Sequence, residues 1–528
     1  MARPGSRTSA TTNSDARIQQ YPGKTTRHVF FSSVVAICSA LIFGYEIGIS
    51  GGVTIMGPFL EKFFPKGYRQ ELGTDSVNQY CKFNGVTDLT LFTSSFYLAA
   101  LLASLFASSV TGGFSRKLSI FFSGVVLLVG AVISGAAKNV MMLILGRILL
   151  GIGVGFVNQV VPPYQSEIAP YKNPVILNIK FQWMITVGIG IANVVNYGTN
   201  KINCGWGWRV SLGLAALPAL FITISSLFLP DTPKSIIERN NLEKAKEQLQ
   251  RIRGVVNVND EFDDLVADSE KVKQPWKNIM MDMKYRPHLF MAILIPFFQH
   301  STGINVLLFY APVLFKSLGF GNDASLAYVM IMGLVYAFFM FVAILFLKSE
   351  DGRKRSRRNN FSNGSILLFI IQVAVGGFLI MYKLKFETHS TNRNGLAVAL
   401  EMCIYVGIFA MSWGLTGWEV LSEVFPVEIR SAAQNITVSV NMLFNFIIAH
   451  LFLNMLCHMK FGVFFFFAGF VAFGSIFLYH FVPETKGKSI EEMGRRVWKQ
   501  HWYWGKYIPD DEELIMSGNI QWGTAPRC

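Results

Sequence analysis

An acidic residue, Glu46, lies within an apolar stretch that runs from about residue 29 to residue 53. A carboxylate inside a membrane span costs about 3 kcal/mol on insertion scales and is rare there. Such a residue needs a charged partner or a function, and the default interpretation is an ion or proton site. The alternative is a static structural salt bridge. The chemistry of this chain therefore begins with the question of what Glu46 binds.

The composition places this acid in a membrane protein. Of the 528 residues, 52% are hydrophobic and only 15% are charged, whereas a soluble chain carries about 25% charged residues. Apolar stretches of about 20 residues, long enough to cross a hydrocarbon core of about 30 Å, recur along the chain. We predict an all-α membrane protein with twelve transmembrane helices, at about 28–50, 88–110, 118–138, 140–163, 177–199, 209–229, 288–316, 324–347, 364–382, 397–421, 435–457 and 461–482.

The basic residues predict the orientation of these helices. The net charge is +14, and Lys and Arg cluster at 116–117, in the segment 234–286 and at 348–358. Basic loops face the cytoplasm, so both termini and the long central loop are expected there, with the plasma membrane as the location. Because topology explains the charge, the expected partner is the lipid bilayer and no nucleic acid is expected.

Short motifs repeat between the two halves of the chain. Gly48-Ile49-Ser50 recurs as Gly303-Ile304-Asn305, and Ser166-Glu167 recurs as Ser422-Glu423 at nearly the same separation. Parallel repeats of six helices are typical of the major facilitator fold, which binds substrate between its halves near the midplane. The predicted division is a cytoplasmic tail at 1–27, a first six-helix half at 28–230 with an external lid loop at about 54–87, cytoplasmic linker helices at 231–286, a second half at 287–483 and a cytoplasmic tail at 484–528.

Longer motifs resemble those of a known family. Pro483-Glu484-Thr485-Lys486-Gly487, Gly146-Arg147-Ile148-Leu149-Leu150-Gly151 and Thr302-Gly303-Ile304-Asn305 resemble the sugar porters of the major facilitator superfamily. Gly44–Val53 and Phe309–Lys316 look like the plant sugar transport proteins, which are monosaccharide–proton symporters. The resemblance runs from about residue 25 to residue 495. It implies uptake of hexoses driven by a proton gradient, by a monomeric transport unit that is no enzyme and holds no cofactor.

The resemblance also implies roles for individual residues. It pairs Glu46, where the family has Asp, with Arg147 for proton coupling, and it pairs Cys81 with Cys457 in a disulfide. Neutral sugars are bound by amides, hydroxyls and aromatic faces, and no metal site is expected. The implied sugar-binding residues are Gln182, Gln299, His300, Asn305, Tyr336, Trp418 and Asn441, and the implied cytoplasmic gate ion pairs involve Arg116, Glu167, Arg353, Glu423, Arg430 and Glu484.

Several residues depart from the family pattern. His300 replaces a Gln, Tyr336 stands where the family carries a sugar-binding Asn, and Leu415 replaces a Pro that would have broken the tenth span. An intramembrane amide can also serve only as a helix–helix hydrogen bond. Two alternatives to a proton-coupled hexose transporter therefore stay open: an uncoupled sugar facilitator, and a transport-poor or sugar-sensing paralogue.

Overall fold

The chain folds into helices throughout the part that the structure, a computed structural model, describes. Backbone that crosses a membrane must satisfy its own hydrogen bonds, and a helix does so within one segment. The described residues are 26–72, 87–113, 115–168, 174–202, 205–271, 275–317, 320–349, 356–385, 392–426, 428–485 and 492–508.

The first half contains six spans. Span six is two consecutive helices, and two short helices follow span one at the position of the predicted lid loop. We call the side of the membrane on which these short helices lie the lid face. The spans are Arg27–Val53, Thr87–Gly113, Arg116–Gly135, Val140–Ile168, Pro174–Asn200 and Gly207–Gly213 with Ala216–Ser226, and the lid helices are Gly57–Phe63 and Pro65–Leu72.

The second half repeats the arrangement, with two interrupted spans. Span seven consists of two helices, and span ten contains a π-helical turn between two α-helices. Its spans are Arg286–Ser301 with Ile304–Ser317, Asn322–Lys348, Arg357–Lys385, Asn392–Phe409 with the π-turn Ala410–Gly414 and Leu415–Val424, Arg430–Met459 and Gly462–Phe481.

Span five is the one predicted span that the composition of its described residues does not by itself mark as membrane-spanning. Eleven helices among the described residues are long and apolar enough to cross a membrane, and Pro174–Asn200 is not one of them. It nevertheless has 27 residues, which corresponds to about 40 Å of helix. Its buried face carries Asn193 and Asn196, which lower its hydropathy. All twelve predicted spans thus correspond to long helical segments.

Gly303 breaks span seven. Its φ of +85° lies in the region that favours glycine, and the break frees the backbone carbonyl of Thr302. The Tyr405 hydroxyl donates a hydrogen bond to that oxygen at 2.6 Å, and Gln372 Nε2 donates another at 2.5 Å. Buried carbonyl groups need such partners. Spans nine and ten therefore fix the angle between the two parts of span seven.

The two halves approach closely where span one meets the second part of span seven. A methyl group on Gly51 would lie 2.1 Å from the backbone oxygen of Phe309, so only glycine permits this packing. Nearby, the Tyr310 hydroxyl lies 3.1 Å from that of Thr93 in span two. Span one, which carries Glu46, is thereby in direct contact with the second half.

Four short α-helices and one 3₁₀ turn link the two halves in the described part of the chain. We call the side of the membrane on which they lie the linker face. Arg253 forms a buried ion pair with Glu261 at 2.6 Å and donates to the backbone oxygen of Ile168, at the end of span four, at 2.9 Å. The linker therefore packs firmly against the first half. Its helices are Pro233–Glu238, Leu242–Arg253, Asn259–Lys271, Pro275–Met281 and the 3₁₀ turn Met283–Tyr285.

The described C-terminal residues pack against the second half rather than extending away from it. Trp498 and Trp504 are fully buried, and Trp504 Nε1 donates to the backbone oxygen of Phe481, at the end of span twelve, at 2.8 Å. This indole N–H satisfies one of the carbonyl groups that every helix end leaves free. The elements here are the π-turn Met493–Val497, the helix Trp498–Gln500 and the 3₁₀ turn Trp504–Tyr507.

Candidate functional site

Glu46 and Arg147 form an ion pair inside the first half. Arg147 Nη1 lies 2.5 Å from Glu46 Oε2, and the two side chains are 0% and 1% exposed. Phe92 and Phe96 place their rings 5.0 and 4.8 Å from the guanidinium carbon. An arginine keeps its charge at any physiological pH, so the carboxyl is the group in this pair that can gain or lose a proton.

Neighbouring side chains hold this pair in place. Ser50, one turn after Glu46, accepts a hydrogen bond from Arg147 Nη2 and donates one to the backbone oxygen of Glu46 at 2.6 Å. From span five, Asn196 Nδ2 donates to the backbone oxygen of Gly48 at 3.1 Å. Burying both charges is expensive unless such hydrogen bonds complete the site. The groups around Glu46 and Arg147 therefore stabilise a buried charged pair.

An amide network lies in the second half. Asn305, just after the break in span seven, contacts His300 Nδ1 and donates to Asn445 Oδ1 at 2.7 Å. Asn445 Nδ2 in turn donates to Asn441 Oδ1 at 3.0 Å. The structure thus brings together His300, Asn305 and Asn441, and the link between Asn305 and Asn441 runs through Asn445, which was not predicted from the sequence. Its position one helical turn after Asn441 is the signal that would have pointed to it.

Gln299 is hydrogen-bonded to the interrupted part of span ten. Its Nε2 donates to the backbone oxygen of Trp413 at 3.1 Å, within the π-turn. Leu415 replaces the family's Pro, yet the helix is still irregular directly before it. A side chain that binds a freed carbonyl stabilises such a turn. A missing proline therefore does not restore a regular helix here, because Gln299 satisfies the carbonyl that the turn frees.

The remaining predicted sugar-binding residues lie outside this network. Gln182 and Trp418 are half-buried in spans five and ten. Tyr336 is buried in span eight, with its ring 6.4 Å from that of Phe409. Among the described residues, no hydrogen bond joins these three side chains to Asn305.

An ion pair lies at the linker-face ends of spans three and four. Arg116 Nη2 lies 2.7 Å from Glu167 Oε1, with both side chains mostly buried. The prediction named both residues for the gate, and the structure places them in contact. Glu238, the other acid close to Arg116, is exposed to solvent.

The corresponding region of the second half is arranged around Arg357, which the sequence analysis did not single out. Arg357 contacts Glu419, and its Nη2 lies 3.5 Å from Glu423 Oε1. Its backbone N–H donates to Glu484 Oε1 at 3.0 Å. Arg353, the arginine predicted here, lies outside the described residues. The basic loop offers several arginines in a row, and sequence alone does not say which one reaches the carboxylates.

Two further predictions concern residues near these helix ends. Arg430 donates from Nε and Nη2 to the backbone oxygen of Phe425, both at 3.2 Å. Cys457 is disulfide-bonded, and Cys81 lies outside the described residues. Cys38 and Cys403 are free thiols. Within the described part of the chain, no group of three or more His, Cys, Asp or Glu side chains is arranged to hold a metal ion.

Comparison with known proteins identifies the family. The family model "Sugar (and other) transporter" matches residues 31–497. The chain belongs to this sugar transporter family. Its relatives include sugar carrier protein C of Ricinus communis, 54% identical over 515 residues that cover 96% of each chain. Sugar transport protein 1 of Arabidopsis thaliana is 54% identical over 500 residues, 93% of this chain and 94% of that one.

The fold agrees with this assignment. The structure of XylE, titled a major facilitator superfamily proton:xylose symporter bound to 6-bromo-6-deoxy-D-glucose, matches with a TM-score of 0.72 at 25% identity, over 89% of this chain and 99% of that one. The sugar transporter is thus a multi-pass membrane protein of the major facilitator superfamily, not an enzyme, as the motifs predicted.

Proposed function

We propose that this sugar transporter takes up monosaccharides, hexoses in particular, together with protons across the plasma membrane by alternating access. The observation that carries the proposal is the buried pair of Glu46 and Arg147 in one half, together with the neutral network of Asn305, Asn441 and Asn445 buried in the other. The relatives named as sugar transport proteins and the fold shared with a proton:xylose symporter support it.

The proton step takes place on Glu46. The carboxylate accepts a proton at Oε2, where Arg147 now donates, and the ion pair becomes a bond between a neutral acid and a cation. The attraction between spans one and four then weakens, because a Coulomb interaction between two full charges is lost. Arg147 keeps its contacts with Ser50 and the two phenylalanine rings.

Coupling to the sugar passes through the contact between the halves. Span one touches the second part of span seven at Gly51 and Phe309. That same helix carries Asn305 on its first turn. A shift of span one on protonation therefore moves the helix that holds the amide network.

The sugar hydroxyls bind to this network. His300 Nε2 is buried and has no hydrogen-bond partner among the described residues, which leaves it ready for a hydroxyl group. Gln182, Gln299, Asn305 and Asn441 supply further donors and acceptors without net charge. Tyr336 and Trp418 supply aromatic faces for the C–H surfaces of the sugar ring.

Orientation, gating and assembly complete the proposal. Both termini and the linker face are cytoplasmic, the disulfide of Cys457 is made with Cys81 on the external side, and the transport unit is a monomer. The cytoplasmic gate consists of ion pairs that open during transport. Its residues are Arg116, Glu167, Arg353, Glu423, Arg430 and Glu484, together with Arg357.

Uptake in cells that lack their own hexose transport tests the function. Labelled glucose is supplied at an external pH of about 5 and about 7.5, with and without a protonophore. We expect accumulation that the protonophore abolishes, since a symporter is driven by the gradient. Equilibration that ignores the protonophore would indicate a facilitator, and absence of uptake despite surface expression would indicate a transport-poor paralogue.

Glu46→Gln sharpens this test. Because glutamine cannot bind the transported proton, we expect the variant to lose accumulation while still exchanging sugar across the membrane. Asp323→Asn is the control, since that acid is bonded to Asn200 at the exposed lid face. Concentrative uptake by Glu46→Gln at the wild-type level would contradict the proton role.

A further inference from the structure

A second buried acid, Glu419, lies near the linker-face end of span ten. Its side chain is 3% exposed, and one of its oxygens contacts Arg357. The other oxygen, Oε2, is buried and has no hydrogen-bond partner among the described residues. A buried polar atom left unpaired destabilises the protein, and more so when it is charged. The carboxyl group is therefore incomplete without a further ligand.

Glu419 lines a cavity of about 180 Å³ between spans eight, nine and ten. Ala343 and Phe346 from span eight form an apolar wall, and Arg357 and Asn360 from span nine form a polar one. These residues lie at the linker-face ends of their helices. The cavity therefore lies beside the Glu419 side chain, at the linker-face end of span ten. A proton is the smallest ligand that would satisfy the free oxygen.

The first half has no equivalent of this acid. The sequence repeat that aligns Glu167 with Glu423 aligns Pro163 with Glu419. In the first half, the ion pair that Arg116 forms among the described residues is with Glu167. In the second half, Arg357 lies between two buried or half-buried acids. One arginine cannot neutralise both carboxylates.

Arg357 lies close enough to both acids to form an ion pair with either one. Glu419 and Glu423 are four residues apart, so they lie on the same face of one helix. Arg357 Nη2 contacts Glu419 and lies 3.5 Å from Glu423 Oε1. Thr485, after span twelve, donates to Glu423 Oε2 at 2.5 Å. Arg357 stays charged, so the charge on Glu419 decides which pairing is stronger.

Within the described part of the chain, the charged groups around this site come from a few neighbouring helices. The groups that influence Glu419 are Arg357 of span nine and Glu423 of its own helix, and Glu484 acts on Glu423. Of the other helices packed against Leu415–Val424, span five carries Lys180, and span seven carries Arg286, His288 and His300. His288 lies against the ring of Trp498, and His300 is bonded to the amide network. Span nine also carries Arg358, whose guanidinium lies over the ring of Tyr479. The wall from span eight contains no ionisable side chain.

We propose that Glu419 is a second proton-binding site, which takes up a proton from the linker-face solution and thereby shifts Arg357 from Glu419 to Glu423. The proton passes from a hydronium ion to Oε2 and leaves a water molecule, and no other covalent bond changes. Arg357 and Thr485 then both hold Glu423, which ties spans nine and ten to the segment after span twelve. Acid on the linker-face side therefore slows the opening of this face.

The proton site itself can be tested without transport. Infrared difference spectra of the purified protein are recorded between about pH 8 and about pH 5, the range in which buried carboxyl groups titrate. We expect a band of a protonated carboxyl group that Glu419→Gln removes. Glu401→Gln is the matched control, because Glu401 is another acid of span ten with a buried, unpartnered Oε2 but does not line this cavity. A spectrum unchanged by Glu419→Gln would overturn the proposal.

The consequence for transport rests on the proposed function and has its own test. Exchange of labelled for unlabelled sugar is measured in oriented proteoliposomes, with the lid-side pH held constant. We expect acid on the linker side to slow exchange roughly threefold to tenfold. A tenfold change in an equilibrium constant corresponds to a change of one pKa unit. Glu419→Gln should lose most of this response, and Glu401→Gln should keep it.

The two measurements separate the possible failures. An unaltered response to linker-side pH in Glu419→Gln would overturn the control of Arg357 by this proton. If no variant exchanges sugar while the infrared band behaves as expected, the proposed transport function fails and the proton site stands.

Discussion

The first half buries a charged pair in its interior, whereas a network of neutral amides lies near the middle of the second half. Glu46 and Arg147 form the pair in the first half, and Asn305, Asn441 and Asn445 form the network in the second. In the proposed function, the titratable pair responds to protons, and the neutral network binds hydroxyl groups without the desolvation cost of a charge. Two halves with one fold thus supply different chemistry to a shared pathway.

At the linker face, the more elaborate arrangement of charged residues lies in the second half. There the described residues of the first half form the pair of Arg116 with Glu167, while in the second half Arg357 lies close to both Glu419 and Glu423. The helices at these positions are equivalent, so the difference comes from single residues such as Glu419. The repeat of six helices therefore fixes the positions at which charged side chains can meet, but not the number of charged residues at each position.

The largest effect is expected from removing the cation of the buried pair. Arg147→Met leaves Glu46 buried without its partner, which costs about 3 to 5 kcal/mol of stability. We expect a markedly lower thermal unfolding midpoint in detergent, with partial recovery in the double variant that also carries Glu46→Gln. Arg251→Met removes an exposed helix ion pair with Glu247 and should change the midpoint little. Equal shifts in the two arginine variants would remove the distinction between the buried and the surface pair.

A smaller and different effect is expected in the second half. Asn305→Ala removes the residue that joins His300 to Asn445, so we expect the KM for sugar to rise about tenfold, with a lesser change in maximal rate. Asn200→Ala makes the same substitution at the lid face, where Asn200 binds Asp323 at 2.6 Å, and should leave KM unchanged. A KM that stays at the wild-type value in Asn305→Ala would count against a sugar site at this network.

The smallest effect concerns the break in span seven. Tyr405→Phe removes one of the two hydrogen bonds to the Thr302 carbonyl, worth about 1 kcal/mol. Tyr164→Phe removes a similar bond to the Pro230 carbonyl in the first half. We expect similar losses in thermal stability, but a KM raised a fewfold only in Tyr405→Phe, because only that bond orients the helix that carries Asn305. Identical KM values would show that the break needs only one of its bonds.

Much of the fold could be predicted from hydropathy and the internal repeat. Span five was predicted although the described residues of its helix, by composition alone, do not mark it as membrane-spanning. Glu46 was recognised as a site candidate because an acid in an apolar stretch is rare. Glu419 and Glu401 give the same signal inside the predicted tenth span, and the sequence analysis did not use it.

The sequence by itself determined which segments span the membrane as helices, since lipid excludes backbone that is not hydrogen-bonded within a helix. It also determined that one titratable acid lies inside the first half. Only the tertiary structure decided which side chains meet: Arg357 with Glu419 and Glu423, Asn445 with Asn305, and Gln299 with the π-turn of span ten. The physical reason is that hydropathy fixes how deep a residue lies, whereas its partners depend on how each helix is rotated and packed against helices far away in the chain.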